Sequence, residues 1–167
     1  MKVLVTYLSQ TGNTRRVAEV IYEEIEEEKE LRPLSEVESL EGYDLAFIGF
    51  PIHASNPAAE ARAFLEEKAR GRRVAVFVTH AAPEDHEETR KYLENCRASL
   101  SGADLIGMFD CQGELDQAVI DLLARSENPQ HRQFAEYGPL TKGQPDDSRL
   151  EKARAFARQV MKECDKT

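Results

Sequence analysis

The 167-residue sequence has no tryptophan, only three cysteines, and no apolar run long enough to cross a bilayer. The cysteines, Cys96, Cys111 and Cys164, are widely separated and odd in number, which indicates neither a disulfide framework nor a metal-ligand pattern. No signal-peptide pattern is present at the amino terminus, because its apolar residues run directly into a polar loop. We therefore expect one cytoplasmic domain over residues 1–167, with no metal site and no membrane insertion.

Basic residues are also in short supply, with 22 lysines and arginines against 31 acidic residues and a formal net charge of −9. This balance disfavours nucleic acid and anionic membranes, whose phosphates would repel the chain. It favours an encounter with a protein partner that has a basic surface. Ordinary solubility explains the same net charge equally well.

What the sequence does have is a short apolar strand followed by a polar loop near its amino terminus. Residues 3–8 form an apolar, partly β-branched run typical of a strand buried on both faces, and apolar residues at helical spacing begin at Val17. The loop between them consists of Ser9, Gln10, Thr11, Gly12, Asn13 and Thr14. A strand that enters a helix through such a loop directs backbone N–H groups and the helix dipole to one point, where a phosphate can bind.

This loop does not match the better-known phosphate motifs. It has one glycine and no lysine, whereas the P-loop requires Gly-Lys-Ser/Thr and the dinucleotide fingerprint requires three spaced glycines. A polar turn that merely caps a helix needs one or two hydroxyl groups, not six consecutive residues of this kind. The sequence therefore favours a phosphate ligand over a simple cap.

Residues 9–14 closely resemble the phosphate-binding loop of flavodoxins, which bind flavin mononucleotide (FMN). Residues 43–52 resemble the third strand of that family, residues 57–67 the following helix, and residues 71–77 the entry to the fourth strand. The similarity covers about residues 1–101 and the last helix. It implies an α/β fold, namely a flavodoxin-like, three-layer, doubly wound sheet of five parallel strands in the order 2-1-3-4-5, with FMN as cofactor.

Periodicity in the remaining chain agrees with that architecture. We predict further strands near residues 34–37, 43–50, 73–79 and 104–110, separated by helical patterns, and such alternation is typical of a parallel sheet. A helix is expected to begin at Pro57 with Ser55 or Asn56 as its cap. Residues 111–145 contain a short amphipathic helix and then an irregular insert, before a last helix that begins near residues 146–148.

Ligands of open parallel sheets bind beyond the carboxyl ends of the strands, where the strand order reverses, and flavodoxin is an established example of this rule. Three loops meet there. The predicted cofactor-binding residues are Ser9, Gln10, Thr11, Gly12, Asn13 and Thr14 in the first loop, Pro51, Ile52, His53 and Ala54 in the second, and Thr79, His80, Ala81 and Ala82 in the third. We predict no catalytic side chain, and Cys111 is interpreted as a structural thiol because nothing nearby lowers its pKa.

The second and third loops depart from the family pattern. Typical flavodoxins place the flavin between aromatic residues, commonly Trp and Tyr, whereas His53 and His80 occupy the nearest positions here. A histidine can be an ordinary surface residue, but imidazoles beside the ring would leave it more open and could donate a proton. The histidines therefore keep an enzymatic function under consideration.

Three functions follow from these features. The first is an FMN-binding electron-transfer protein that serves redox protein partners. The second is a flavin-dependent oxidoreductase of the same fold, such as a reductase of quinones or other small molecules, in which residues 111–145 close over the substrate. The third is a flavin-less interaction domain. A receiver-type signalling domain is disfavoured because it needs acidic residues after its first strand, and the first aspartate here is Asp44.

Overall fold

Five parallel strands form the centre of the structure, a computed structural model in which residues 1–166 are described. A sixth, two-residue strand pairs antiparallel with the third. The strands are β1 (Lys2–Tyr7), β2 (Glu28–Pro33), β3 (Leu45–His53), β4 (Asn56–Pro57), β5 (Arg73–His80) and β6 (Asp104–Gln112). The parallel order is β2-β1-β3-β5-β6, which confirms the predicted doubly wound order of the five main strands.

Helices cover both faces of this sheet and complete the predicted three layers. They are α1 (Asn13–Glu24), α2 (Ala59–Lys68), α3 (Glu87–Ser99), α4 (Gln117–Ala124), α5 (Pro129–Glu136), α6 (Gly138–Thr141) and α7 (Asp147–Cys164). Buried apolar residues of α1 and α7 belong to one core cluster, and those of α2 together with Cys96 of α3 belong to a second. No helix in the described part of the chain is long and apolar enough to cross a membrane.

The alternation of side chains along the strands explains the two cores. On β1, Val3 and Val5 pack into the α1/α7 core, whereas Leu4 packs into the α2/α3 core, and all three are fully buried. Successive side chains of a strand point to opposite faces, so a strand between two helical layers is apolar at nearly every buried position, and on β1 the exception is Thr6. This is the pattern that the sequence showed at residues 3–8.

The prediction of a strand near residues 34–37 is wrong. The second strand is Glu28–Pro33, and residues 34–36 form a short 3-10 helix. This strand lies at the sheet edge, where charged residues are tolerated and discourage pairing with other chains. The side chain of Glu30 is held by Lys2, at 2.9 Å, and by the Tyr43 hydroxyl, which donates to it at 2.8 Å. A charged edge strand lacks the apolar signal on which the prediction depended.

Two further expectations about local structure also fail. Pro57 lies in β4 rather than at the start of a helix, and α2 begins at Ala59 without a side-chain cap. The cause is a tight turn in which Ala54 and Ser55 both have positive φ, 47° and 67° respectively, which folds β3 back into a hairpin. The short amphipathic helix predicted within residues 111–145 is α4, but the segment after it is not irregular, since it contains α5 and α6.

Candidate functional site

A cavity of about 410 Å³ opens at the carboxyl ends of β1, β3 and β5, where the sequence places its three loops. All the predicted cofactor-binding residues line it except Gly12 and Ala82, which lie within the same loops. Ten further residues contribute to its wall: Ser55, Tyr92, Gly113, Glu114, Leu115, Asp116, Val119, Leu123, His131 and Phe134. The topology thus brings the predicted loops together, and residues after β6 add a fourth side.

The amino end of α1 points into this site and has no side-chain cap. Its N-cap residue is Gly12, at a φ of 93° that a residue with a side chain rarely adopts. The Gly12 amide donates to the Ser9 hydroxyl oxygen at 3.1 Å, which closes the loop on itself. The first-turn amides of a helix have no intrahelical acceptor, so this end is available for an anion.

Hydroxyl groups surround the same point. Thr14 and Thr79 are both buried and share a hydrogen bond of 2.9 Å between their Oγ1 atoms, which fastens the first loop to the end of β5. Thr11 Oγ1 accepts from the Asn13 side chain at 3.3 Å. A hydroxyl that accepts one bond still has its own hydrogen to donate, so Ser9 and Thr11 each retain a donor for a ligand.

The Asn13 side chain connects two walls of the cavity. Its Nδ2 donates to the Glu114 carbonyl at 2.9 Å, and so ties the first loop to residues 113–116, which we call the strap. A Cβ atom at position 113 would lie 2.7 Å from Asn13 Nδ2, so a glycine is needed for this close approach. The strap also bonds to the far end of the insert, where Leu115 donates to Thr141 Oγ1 at 3.0 Å. The first loop and the strap therefore form one connected structure.

Beyond the strap, helices α4, α5 and α6 form what we call the lid. None of the residues in α4 or α5 is buried, and Val119, Leu123 and Phe134 present apolar side chains to the cavity. The lid is attached mainly through Tyr137 and the stacked rings of Phe134 and Tyr92, whose centroids are 6.5 Å apart. The cavity thus has a polar end at α1 and an apolar end under the lid.

The β3–β4 hairpin forms another wall of the cavity. The Ser55 carbonyl accepts from Asn95 Nδ2 at 2.7 Å, and the Ala54 carbonyl accepts from Asn56 Nδ2 at 3.0 Å. These side-chain bonds hold a turn whose positive φ values are costly for residues other than glycine. His53, at the end of β3, is exposed at the cavity rim, so its ring is accessible to a ligand.

His80 also lines the cavity, but its ring is held by the protein. Its Nδ1 lies 2.7 Å from the Ala82 carbonyl oxygen and its Nε2 lies 2.9 Å from Asp110 Oδ2, with the side chain only 1% exposed. The edge of the ring contacts Tyr92, with 6.2 Å between centroids. Both nitrogens are therefore engaged, and His80 differs from His53 in being unable to offer either one to a ligand.

The charged groups of the site are few. The cavity wall contains no lysine or arginine, and its carboxylates are those of Glu114 and Asp116. Burial raises the pKa of the Cys111 thiol to about 12, which makes it unreactive and agrees with a structural role. The described residues include no cluster of histidine, cysteine and carboxylate side chains that could hold a metal ion.

Sequence reasoning placed residues 111–145 over the site only under the second function, and it did not identify the individual strap and lid residues or Tyr92. The apolar spacing of Val119 and Leu123 marked a helix, but not the cavity that this helix lines. Tyr92 fits the buried stripe of α3 and so has no separate signal. The strap and lid residues come to the site only through the path that the chain takes after β6.

A three-layer sandwich whose parallel strands run in the order β2-β1-β3-β5-β6, with a cavity where that order reverses, is the arrangement of flavodoxin-like α/β proteins. The model of the flavodoxin domain matches residues 4–158, and the chain belongs to that family. A curated relative, the flavodoxin-like domain-containing protein BilS of Clostridioides difficile (strain CD3), is 28% identical over 171 residues, covering 96% of this chain and 97% of that protein.

Solved structures agree on the fold. Oxidised flavodoxin 2 from Bacillus cereus has a TM-score of 0.61 at 19% identity, with 98% of this chain and 99% of that one covered. A flavoprotein from Lactobacillus acidophilus NCFM, solved in complex with FMN, has a TM-score of 0.51 at 23% identity. The alignment covers 72% of this chain and 97% of that flavoprotein.

Proposed function

We propose that this protein binds FMN in the cavity and transfers electrons between redox partners. The observation that carries the proposal is the α1 amino end, which has a left-handed glycine and no side-chain cap, and opens into a cavity of about 410 Å³. A phosphate bound there would accept hydrogen bonds from the first-turn amides and from Ser9 and Thr11. The absence of lysine and arginine from the cavity wall leaves backbone and hydroxyl donors to balance its charge.

The other end of the cavity fits a planar ring. His53 and Ala54 of the hairpin line the same cavity as Tyr92 and Phe134, and aromatic rings stack well on aromatic groups. FMN would supply the redox chemistry, while these residues orient it and exclude water. The aromatic contacts that the second and third loops lack are thus offered by Tyr92 of α3 and Phe134 of the lid.

Partners are proposed to be redox proteins with a basic docking surface. The formal net charge of −9, together with Glu114 and Asp116 at the cavity, would attract such a surface and raise the rate of encounter. The three thiols are free and buried, which suits a reducing cytoplasm.

A second candidate is a flavin-dependent oxidoreductase that acts on a small molecule. The lid favours it, because Val119, Leu123 and Phe134 give the cavity an apolar end that a small apolar substrate could share with a flavin ring. The two candidates differ in their source of electrons. A carrier needs a reductase partner, whereas a reductase that stands alone accepts hydride from a nicotinamide cofactor.

The visible spectrum of the protein purified with added FMN tests the proposal. We expect retained flavin absorbance after gel filtration, and slow reduction by NADH or NADPH alone but rapid reduction when a flavodoxin reductase is added. Rapid reduction by a nicotinamide cofactor alone would favour the second candidate. A folded protein that retains no flavin and shows no FMN binding on titration would contradict both the carrier and the oxidoreductase. The flavin-less interaction domain would then be the remaining hypothesis.

A further inference from the structure

Helix α5 of the lid contributes two ring side chains to the cavity wall, His131 and Phe134. They are three positions apart, which places them on the same face of the helix with Cβ atoms about 5–6 Å apart. Phe134 is stacked with Tyr92, with 25° between the two ring planes. A planar ligand that packs against Phe134 would therefore have its edge close to His131.

The imidazole of His131 is fixed by the protein through one of its two nitrogens. Its Nδ1 lies 2.9 Å from Ser126 Oγ. Ser126 is itself held, because its Oγ accepts from the Asn128 amide at 3.2 Å and its carbonyl accepts from Arg132 Nη1 at 2.8 Å. His131 is exposed, and its Nε2 has no partner among residues 1–166. One ring nitrogen is therefore available to a ligand.

The bonds at Ser126 favour one tautomer of His131. Ser126 Oγ already accepts a hydrogen bond from Asn128, so its own hydrogen is available for Nδ1. With Nδ1 as the acceptor, the hydrogen of the neutral ring is on Nε2, and the imidazolium has a hydrogen on the same atom. Nε2 is thus a donor in both protonation states, and it suits a ligand with acceptor atoms at its edge.

The three imidazoles in the cavity wall differ in what they can offer to such a ligand. Both nitrogens of His80 are engaged within the protein, and His53 has no hydrogen bond within residues 1–166 that would orient its ring. A side chain that must be immobilised on binding costs affinity, whereas one that is already oriented costs less. Of the three, His131 is the one that is both oriented and available.

We propose that His131, oriented by Ser126, donates a hydrogen bond from Nε2 to an acceptor atom at the edge of the ring bound in the cavity. The inference rests on the proposed function, in which that ring is the flavin. Reduction adds negative charge to the nitrogen and oxygen atoms of the ring, so a donor beside them binds the reduced form more tightly. The bond therefore strengthens binding and raises the reduction potential. Ser126 is a positioning residue, which acts through His131.

Two substitutions separate the two hydrogen bonds of His131. The glutamine amide nitrogen can occupy the place of Nε2, so His131→Gln retains the donor to the ligand and loses the bond to Ser126. The asparagine side chain reaches only the place of Nδ1, so His131→Asn retains a partner for Ser126 and loses the donor to the ligand. Gln133→Asn is the matched control, because it introduces the same residue into α5 at an exposed position outside the cavity wall.

The test is the dissociation constant of FMN, measured by quenching of flavin fluorescence, together with the reduction potential of the bound flavin. We expect His131→Asn to raise the dissociation constant about tenfold and to lower the potential. His131→Gln should change the constant less than about threefold, and Gln133→Asn should change neither quantity. Wild-type affinity and potential in His131→Asn would overturn the proposal, as would a loss of affinity in His131→Gln that equals or exceeds that in His131→Asn.

Ser126→Ala tests the positioning role, because it removes the partner of Nδ1 and leaves the imidazole in place. We expect it to weaken FMN binding about threefold in the wild type and to have no further effect in the His131→Asn background. Equal effects in the two backgrounds would overturn the role of Ser126. A wild-type protein that binds neither FMN nor riboflavin would instead refute the proposed function, so the two failures are distinguishable.

Discussion

The two ends of the cavity are built in opposite ways. The α1 end consists of one continuous segment, residues 9–14, whose backbone and hydroxyl groups are tied to the buried sheet through the Thr14–Thr79 hydrogen bond. The lid end is assembled from α4 and α5, which contain no buried residue, and is attached through the strap and a few aromatic contacts. Local sequence creates the first end, and tertiary packing creates the second.

This difference gives the ends separate tasks under the proposed function. The α1 end would recognise the phosphate, which FMN has and riboflavin lacks. The lid end would contact the ring, which the two ligands share. Substitutions at the α1 end should therefore alter the preference for FMN over riboflavin. Substitutions at the lid should weaken the binding of both ligands by the same factor.

The largest effect is expected for Gly12→Asp. Its carboxylate would repel the phosphate a few ångströms away, which should weaken FMN binding on the order of 100-fold. Gly12→Asn is the matched control, because it imposes the same positive-φ strain without the charge and should cost much less affinity. Titration of FMN and riboflavin into each variant measures the effect. Similar FMN affinity in the two variants would contradict a phosphate at this position.

A smaller effect is expected from the buried hydroxyl pair. Thr14→Val or Thr79→Val alone leaves a buried hydroxyl without its partner, which should cost about 1–3 kcal/mol in the free energy of unfolding. The double variant removes both groups and should recover most of that loss. Urea denaturation of the wild type, the two single variants and the double variant completes the double-mutant cycle. Strictly additive losses in the free energy of unfolding would show that the two side chains do not stabilise each other.

At the lid end, Phe134→Ala should weaken the binding of FMN and of riboflavin by the same factor, about fivefold. It removes a stacked ring from the end of the cavity that would contact the flavin ring common to both ligands. Phe134→Leu retains an apolar side chain and should have a smaller effect. Titration of both ligands checks the prediction. If only FMN binding changed, the assignment of separate tasks to the two ends would be wrong.

The smallest effect concerns the ion pair at low pH between Glu84, in the loop after β5, and Arg149 of α7. Arg149 Nη2 donates to Glu84 Oε2 at 3.0 Å, and although burial raises the pKa of Glu84, the bond to Arg149 leaves that pKa below its usual value. The stability that this pair contributes is fully present above the pKa that Glu84 has in the unfolded chain. It is lost as the pH falls through the lower pKa that Glu84 has in the folded protein. Urea denaturation should show that the wild type exceeds Glu84→Gln by about 1 kcal/mol at pH 7 and by less at pH 3. A difference that does not shrink in acid would exclude this ion pair as its cause.

The fold was largely predictable because its signals are local. Apolar runs such as residues 3–8 and 73–79 identify strands buried on both faces, and the loop at residues 9–14 identifies the α1 end of the cavity. The edge strand β2 was misplaced because charged residues at a sheet edge have no apolar pattern. The Ala54–Ser55 turn was missed because neither residue is one that normally signals positive φ.

The remainder of the site depends on contacts between distant residues. Asn13 and Glu114 are joined by a hydrogen bond across 101 positions, and His80 and Asp110 by one across 30. A single sequence holds no periodicity or motif that encodes such pairs. For the same reason Tyr92 and Phe134, which supply aromatic surface to the cavity, could not be recognised in advance.

The most direct test of the account is the ratio of the riboflavin and FMN dissociation constants for the unmodified protein, measured in one buffer without added phosphate. Because charge-assisted bonds to the α1 end should add well over 1.4 kcal/mol, we expect FMN to bind more than about tenfold more tightly than riboflavin. Added inorganic phosphate should weaken FMN binding and leave riboflavin binding unaffected. Equal affinity for the two ligands would contradict the account, because it would mean that the α1 end does not bind a phosphate.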